Sequence, residues 1–124
     1  MPPYAAAVVK VSRKRQSEIV MEGFASLRVW AENNGIPLVE VHGYPRSIVD
    51  KNDVGATVYL FFDTDASVER LQSDGTTARV QQAFLNILET AGYPPPWLEH
   101  VTFHVDSREC VERDFEGSYF YYHR

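Results

Sequence analysis

The sequence predicts a single globular domain of the α/β (α+β) class, with a small, mostly antiparallel sheet of three or four strands and helices packed on it. Three observations carry this. Apolar residues recur at offsets of three and four over residues 17–34 and 76–91, the period of a helix with one buried face. Three shorter stretches, 36–42, 54–62 and 99–106, are β-branched or alternate between apolar and polar. The first two are joined by roughly ten residues without helical pattern, which implies antiparallel neighbours because a parallel pair needs a longer crossover.

With 124 residues, 44% of them hydrophobic and 13% aromatic, the chain can bury one core without disulfides or a metal. Residues 1–12 read either as an edge strand or as a loose arm. In the first helix Ile19, Val20, Gly23, Phe24, Leu27, Trp30 and Ala31 share a face. Ser17 is the expected N-cap, and Asn34-Gly35 followed by Pro37 is the expected stop. The strand over 36–42 is expected to break at Gly43-Tyr44-Pro45, leaving a polar loop to Asp53. The run Val58-Tyr59-Leu60-Phe61-Phe62 is apolar on both faces, which fits a central strand covered by helices.

Beyond Asp63 the pattern turns helical. Thr64 is the expected cap of a short helix, with Asp65 in its first turn and Val68 and Leu71 inward, ending at Asp74-Gly75. Thr76 or Thr77 caps the next, whose stripe is Val80, Phe84, Ile87, Leu88 and Ala91. Pro94-Pro95-Pro96 predicts an extended linker. In the last strand Val101, Phe103 and Val105 point one way, and His100, Thr102, His104 and Asp106 the other.

Charge and composition narrow the function classes. The net charge is −5, and the one basic cluster, Arg13-Lys14-Arg15, reads as a solvated helix start. Nucleic acid is therefore not the expected partner, whereas a basic protein is favoured by complementary steering. A lone cysteine, Cys110, fits a reducing compartment, and the N-terminus does not read as a signal peptide, so a cytoplasmic location is expected. No apolar run approaches the roughly 18–20 residues that span a bilayer, and no membrane association is expected.

Two constellations suggest chemistry. Four apolar residues before Asp63-x-Asp65 resemble the nucleophile motif of the haloacid dehalogenases, which implies a small Mg²⁺-dependent phosphohydrolase. Such a site also needs a lysine, and none follows Asp65; helix capping is the favoured reading. His100 and His104 lie on one strand face but roughly 13 Å apart at about 3.3 Å per residue, too far to share an ion. Neither a metal nor a cofactor is expected. Cys110 reads as a small apolar group within a helix, and Tyr119-Phe120-Tyr121-Tyr122 as aromatics folding back on the core.

The terminal block VTFHVDSRECVERDFEGSYFYYHR, with TVYLFFDTD and VQQAFLNILETAGYP before it, resembles a family of small bacterial immunity proteins. These are encoded beside secreted polymorphic or contact-dependent toxins. The matching positions are Asp106-Ser107, Glu109, Cys110-Val111, Glu112-Arg113-Asp114, Phe115, Gly117-Ser118 and residues 119–124. Cys110 and Ser118 depart from the asparagines common there, and the likeness covers residues 54–124. It implies a non-catalytic protein that binds one cognate toxin domain. Within the block Asp106 or Ser107 is expected to cap the following helix, Glu109 to sit in its first turn, and Gly117 to take a φ > 0 turn. Tyr119 and its neighbours then cover the sheet. Candidate toxin contacts are Glu40, Asp50, Asp53, Asp63 and Asp65, with Tyr44 as an aromatic anchor.

Overall fold

The computed structural model describes residues 11–124, so the expected arm or edge strand lies, but for its last two residues, outside the described residues. Helix α1 (Arg13–Asn33) is capped by Ser12, whose hydroxyl accepts from the Arg15 amide at 3.0 Å. The expected cap, Ser17, sits within the helix. The helix starts earlier because Gln16 is buried and extends the inner face of Ile19, Val20, Gly23, Phe24, Leu27 and Ala31 by a turn. Asn34 and Gly35 end it, Gly35 at φ 67°, where a Cβ would be strained.

Strands β1 (Leu38–Pro45) and β2 (Ala56–Phe62) pair antiparallel, as expected. Gly43 does not break β1. A side chain there would collide with the Thr57 carbonyl, so glycine is the residue that lets the pairing continue to Pro45 opposite Ala56. The polar loop therefore shrinks, and opens with a 3-10 turn at Arg46–Ile48. Strand β3 (Val101–Ser107) pairs with β2 in parallel, which makes the sheet mixed, in the order β1-β2-β3. The reason is the connection: helices α2 (Asp65–Ser73) and α3 (Thr76–Thr90) and a 3-10 turn at Pro95–His100 return the chain to the starting edge. The three prolines thus lead into a turn where an extended linker is expected, and His100 ends that turn rather than joining the strand.

Thr64 caps α2, accepting from the Ser67 amide at 3.0 Å. Neither threonine caps α3. Gly75 takes the cap position at φ 86°, and the Asp74 carboxylate accepts from the Thr76 amide at 2.9 Å. On α3 the buried stripe is Val80, Ala83, Phe84 and Leu88, with Ile87 half-buried and Ala91 exposed. Helices α1 and α3 pack on one face of the sheet; Phe24 stacks on Phe84 at 5.7 Å, and Gly23 leaves room for the Phe84 ring. Ala56, Val58, Leu60 and Phe62 of β2 point into this layer and are fully buried. Each large side chain so buried contributes about 1.5–3 kcal/mol.

The opposite face follows from the register. Three rows run across the strands: Tyr44–Thr57–Thr102, His42–Tyr59–His104 and Glu40–Phe61–Asp106. Among the described residues no long helix covers them. Helix α4 (Arg108–Asp114) leaves the sheet at Ser107, the chain reverses through Glu116 (φ 56°) and Gly117 (φ 74°), and the single turn α5 (Tyr119–Tyr122) lies over the rows. Among the described residues no helix is long and apolar enough to cross a membrane.

Candidate functional site

Three places gather the side chains that the sequence singles out. The first is the edge where β2 and β3 end side by side, at Phe62 and Ser107, and each strand runs into a helix. Two helix starts placed together bring free N–H groups and positive dipole ends into one spot. Carboxylates and hydroxyls of the two segments satisfy them reciprocally. Ser107 accepts from the Cys110 amide at 2.9 Å and donates to the Asp65 carboxylate. Glu109 accepts from the Asp65 amide at 3.0 Å, and its own amide donates to the Asp63 carbonyl. Arg113 closes the ring on Asp65 at 2.7 Å. The Ser107 hydroxyl and then Arg113 hold the Asp65 carboxyl below its usual range. Asp63 accepts from the Thr64 amide at 2.8 Å, and a Ser67 hydrogen bond lowers its carboxyl likewise.

Of the two expected caps of α4, Ser107 takes the role. Asp106 instead accepts from the Ser107 amide at 2.8 Å and from the Tyr122 hydroxyl at 2.9 Å. Burial, then that bond to Asp106, raises the Tyr122 phenol. Cys110 is half-buried, and burial together with the Asp106 charge pushes its thiol up to about 11. It is a poor nucleophile at neutral pH.

The second place is the aromatic face. Phe61 is fully buried beneath the edges of Tyr119 at 4.8 Å and Tyr122 at 5.1 Å. His104 stacks on Tyr59 at 4.8 Å, and His42 on Phe61 at 5.0 Å. His42 Nδ1 and His123 Nε2 are 3.1 Å apart, linking β1 to the chain end. A shallow hollow of about 460 Å³ opens beside this pair, lined by Glu40, His42, Tyr119, Phe120, His123 and Arg124. Among the described residues no group of three His, Cys, Asp or Glu side chains is disposed to hold a metal ion.

The third place is the β1–β2 connection, where the structure adds residues that sequence reasoning passes over. Gln16, buried in α1, donates to the Val54 carbonyl at 2.9 Å and accepts from the Ser47 hydroxyl at 2.7 Å. Tyr93 donates to the same Val54 carbonyl at 2.7 Å. Arg46 binds Asp53 at 2.9 Å, and its guanidinium also donates to the Ala56 and His100 carbonyls and to Thr102. Gly55 is required beside it, since a Cβ there would strike both the guanidinium and the His100 carbonyl. The Gly55 amide and Arg46 keep the Asp53 carboxyl low. Between these anchors Ile48 and Val49 stand 69% and 82% exposed, next to exposed Asp50.

The candidate contacts therefore divide. Asp53, Asp63 and Asp65 are held in intramolecular networks, and Glu40 is half-buried near Arg28, at 3.9 Å. Tyr44 and Asp50 face solvent, on either side of the exposed Ile48-Val49 pair in the sequence. Ile48 and Val49 are an exposed apolar pair inside a stretch read as polar, and sequence reasoning did not single them out. Comparison with protein-family models, with curated proteins and with solved structures finds no match to this chain.

Proposed function

We propose that this chain is an immunity protein that binds and neutralises a cognate bacterial toxin domain by protein–protein contact in the cytoplasm, without chemistry of its own. The observation that carries the reading is the anchored β1–β2 connection. It presents Ile48, Val49 and Asp50 to solvent while Gln16, Tyr93 and Arg46 fix its base. A held loop loses little conformational entropy on binding, so apolar tips there contribute to affinity with less ordering cost. A net charge of −5 suits a basic partner.

The terminal block adds support, because its capping residues and Tyr119 and Tyr122 are engaged in building the scaffold. That suits a family in which the shared block specifies the fold and the contact surface varies. The alternative, a Mg²⁺-dependent phosphohydrolase at Asp63-x-Asp65, is disfavoured by the engagement of Asp65 with Ser107 and Arg113. Co-expression with the toxin domain encoded in the neighbouring reading frame tests the proposal. The wild type should restore growth and co-purify with the toxin. The double variant Ile48→Asp/Val49→Asp should do neither while melting at the wild-type temperature. A wild type that neither rescues nor binds sinks the reading, and Mg²⁺-dependent phosphatase turnover lost in Asp63→Asn would establish the alternative.

A further inference from the structure

We propose that the His42–His123 contact is a proton-operated latch: it holds α5 on the sheet while both imidazoles are neutral, and lets it go when the pair takes up a proton. The two rings have four nitrogens to hold their protons. His42 Nδ1 and His123 Nε2 sit 3.1 Å apart, so a hydrogen bond between them uses one shared proton. A neutral pair has one further proton to place, and a singly charged pair has two. His123 Nδ1 takes the first of these. If the bond is kept, the second can go only to His42 Nε2.

Among the described residues that atom is buried and has no hydrogen-bond partner. Around the His42 ring lie Phe61 and Tyr59 in stacked geometry and Tyr119 edge-on at 5.1 Å. An N–H left unpaired there costs more when its ring is charged than when it is neutral. The neutral pair avoids this cost in one arrangement: His42 donates from Nδ1, His123 accepts at Nε2, and the bare His42 Nε2 lies among the rings. A doubly charged pair has no bond at all and sets two cations against each other.

The charged and titratable groups around the pair come from every element packed there. Glu40 on β1 favours the charged His42 and lies near Arg28 of α1. Tyr59 and His104 complete the row across β2 and β3, and Asp106 is occupied by Tyr122. Tyr119 and Arg124 flank the pair from the tail, and Arg108 and Glu112 of α4 act on Tyr119. Burial outweighs Glu40 at His42, with the His123 charge acting in the same direction, and burial alone lowers His123; both fall below the ordinary 6.5. The unfolded or undocked chain then binds the extra protons more readily. The latch is complete above about pH 6.5 and is lost as the pH falls through the lowered values.

The full chain, labelled with ¹⁵N, tests this by long-range imidazole spectra from pH 7.5 to 5.0, read together with ring–ring nuclear Overhauser contacts of Tyr119 with Phe61. We expect His42 as the Nδ1–H tautomer at pH 7.5, and loss of the Tyr119–Phe61 contacts in step with histidine titration. His42 found as the Nε2–H tautomer, or contacts that survive titration of both rings, overturns the proposal. His42→Gln sharpens it, since the side-chain amide does not titrate and can donate to neutral His123 Nε2 or accept from its protonated form. That variant should keep its tail contacts at pH 5.5. Acid release at the wild-type pH in this variant overturns the latch, and if the variant fails to fold the wild-type titration still decides.

Discussion

The two faces of the sheet are closed by different physics. On one, α1 and α3 cover Ala56, Val58, Leu60 and Phe62 with aliphatic side chains and the Phe24–Phe84 stack. Among the described residues nothing in that layer titrates near neutral pH, and its stability comes from apolar area removed from water. On the other, one turn of helix and a histidine cover Tyr59 and Phe61, and leave Phe120 71% exposed. This second closure depends on edge-to-face rings, a Tyr122–Asp106 bond and the His42–His123 contact. The difference teaches that a face closed by few residues must use polar, directional contacts, and so becomes responsive to protons.

Core truncations should break the comparison most visibly. Phe84→Ala opens a cavity between two long helices that cannot collapse, and should cost roughly 3–5 kcal/mol in urea unfolding. Phe61→Ala should cost less, about 3 kcal/mol or below, because the short α5 can settle toward the sheet. Equal costs would mean that the tail is as rigid as the helical layer. Tyr93→Phe should come next, at about 1–2 kcal/mol. It removes the hydroxyl that donates to Val54 and accepts from Gln16, while the Gln16 amide and Val54 carbonyl keep their bond to each other at 2.9 Å. The same unfolding titration reads it, and a value near zero would remove Tyr93 from the loop's anchorage.

What was legible in the sequence divides along a similar line. Caps and stops depend on residues three or four apart, so Thr64, Ser107, Asn34-Gly35 and the φ > 0 turn at Gly117 could be read locally. Helical periodicity gave the inner faces of α1 and α3; of the tail's aromatic run, Tyr119 and Tyr122 return to the sheet as expected, while Phe120 and Tyr121 stay exposed. Contacts made across the chain left no such trace. Gln16 meets Tyr93 at a separation of 77 residues and His42 meets His123 at 81, and neither polar side chain has a spacing that marks its partner. The sense of β3 was available in principle. Two helices between β2 and β3 are a crossover long enough for parallel pairing, and that length outweighs the preference of a small sheet for antiparallel neighbours. Gly43 misled because glycine breaks strands more often than it enables a close approach within one.

The most direct measurement of whether the tail closes the second face through a titratable contact compares the full chain with one ending at Glu116. Both are melted at pH 7.5 and at pH 5.5. The full chain should melt higher at pH 7.5, and the gap should narrow at pH 5.5, below the ordinary 6.5, where undocked histidines bind protons that the docked pair resists. A gap of the same size at both pH values, or none at pH 7.5, would contradict the account.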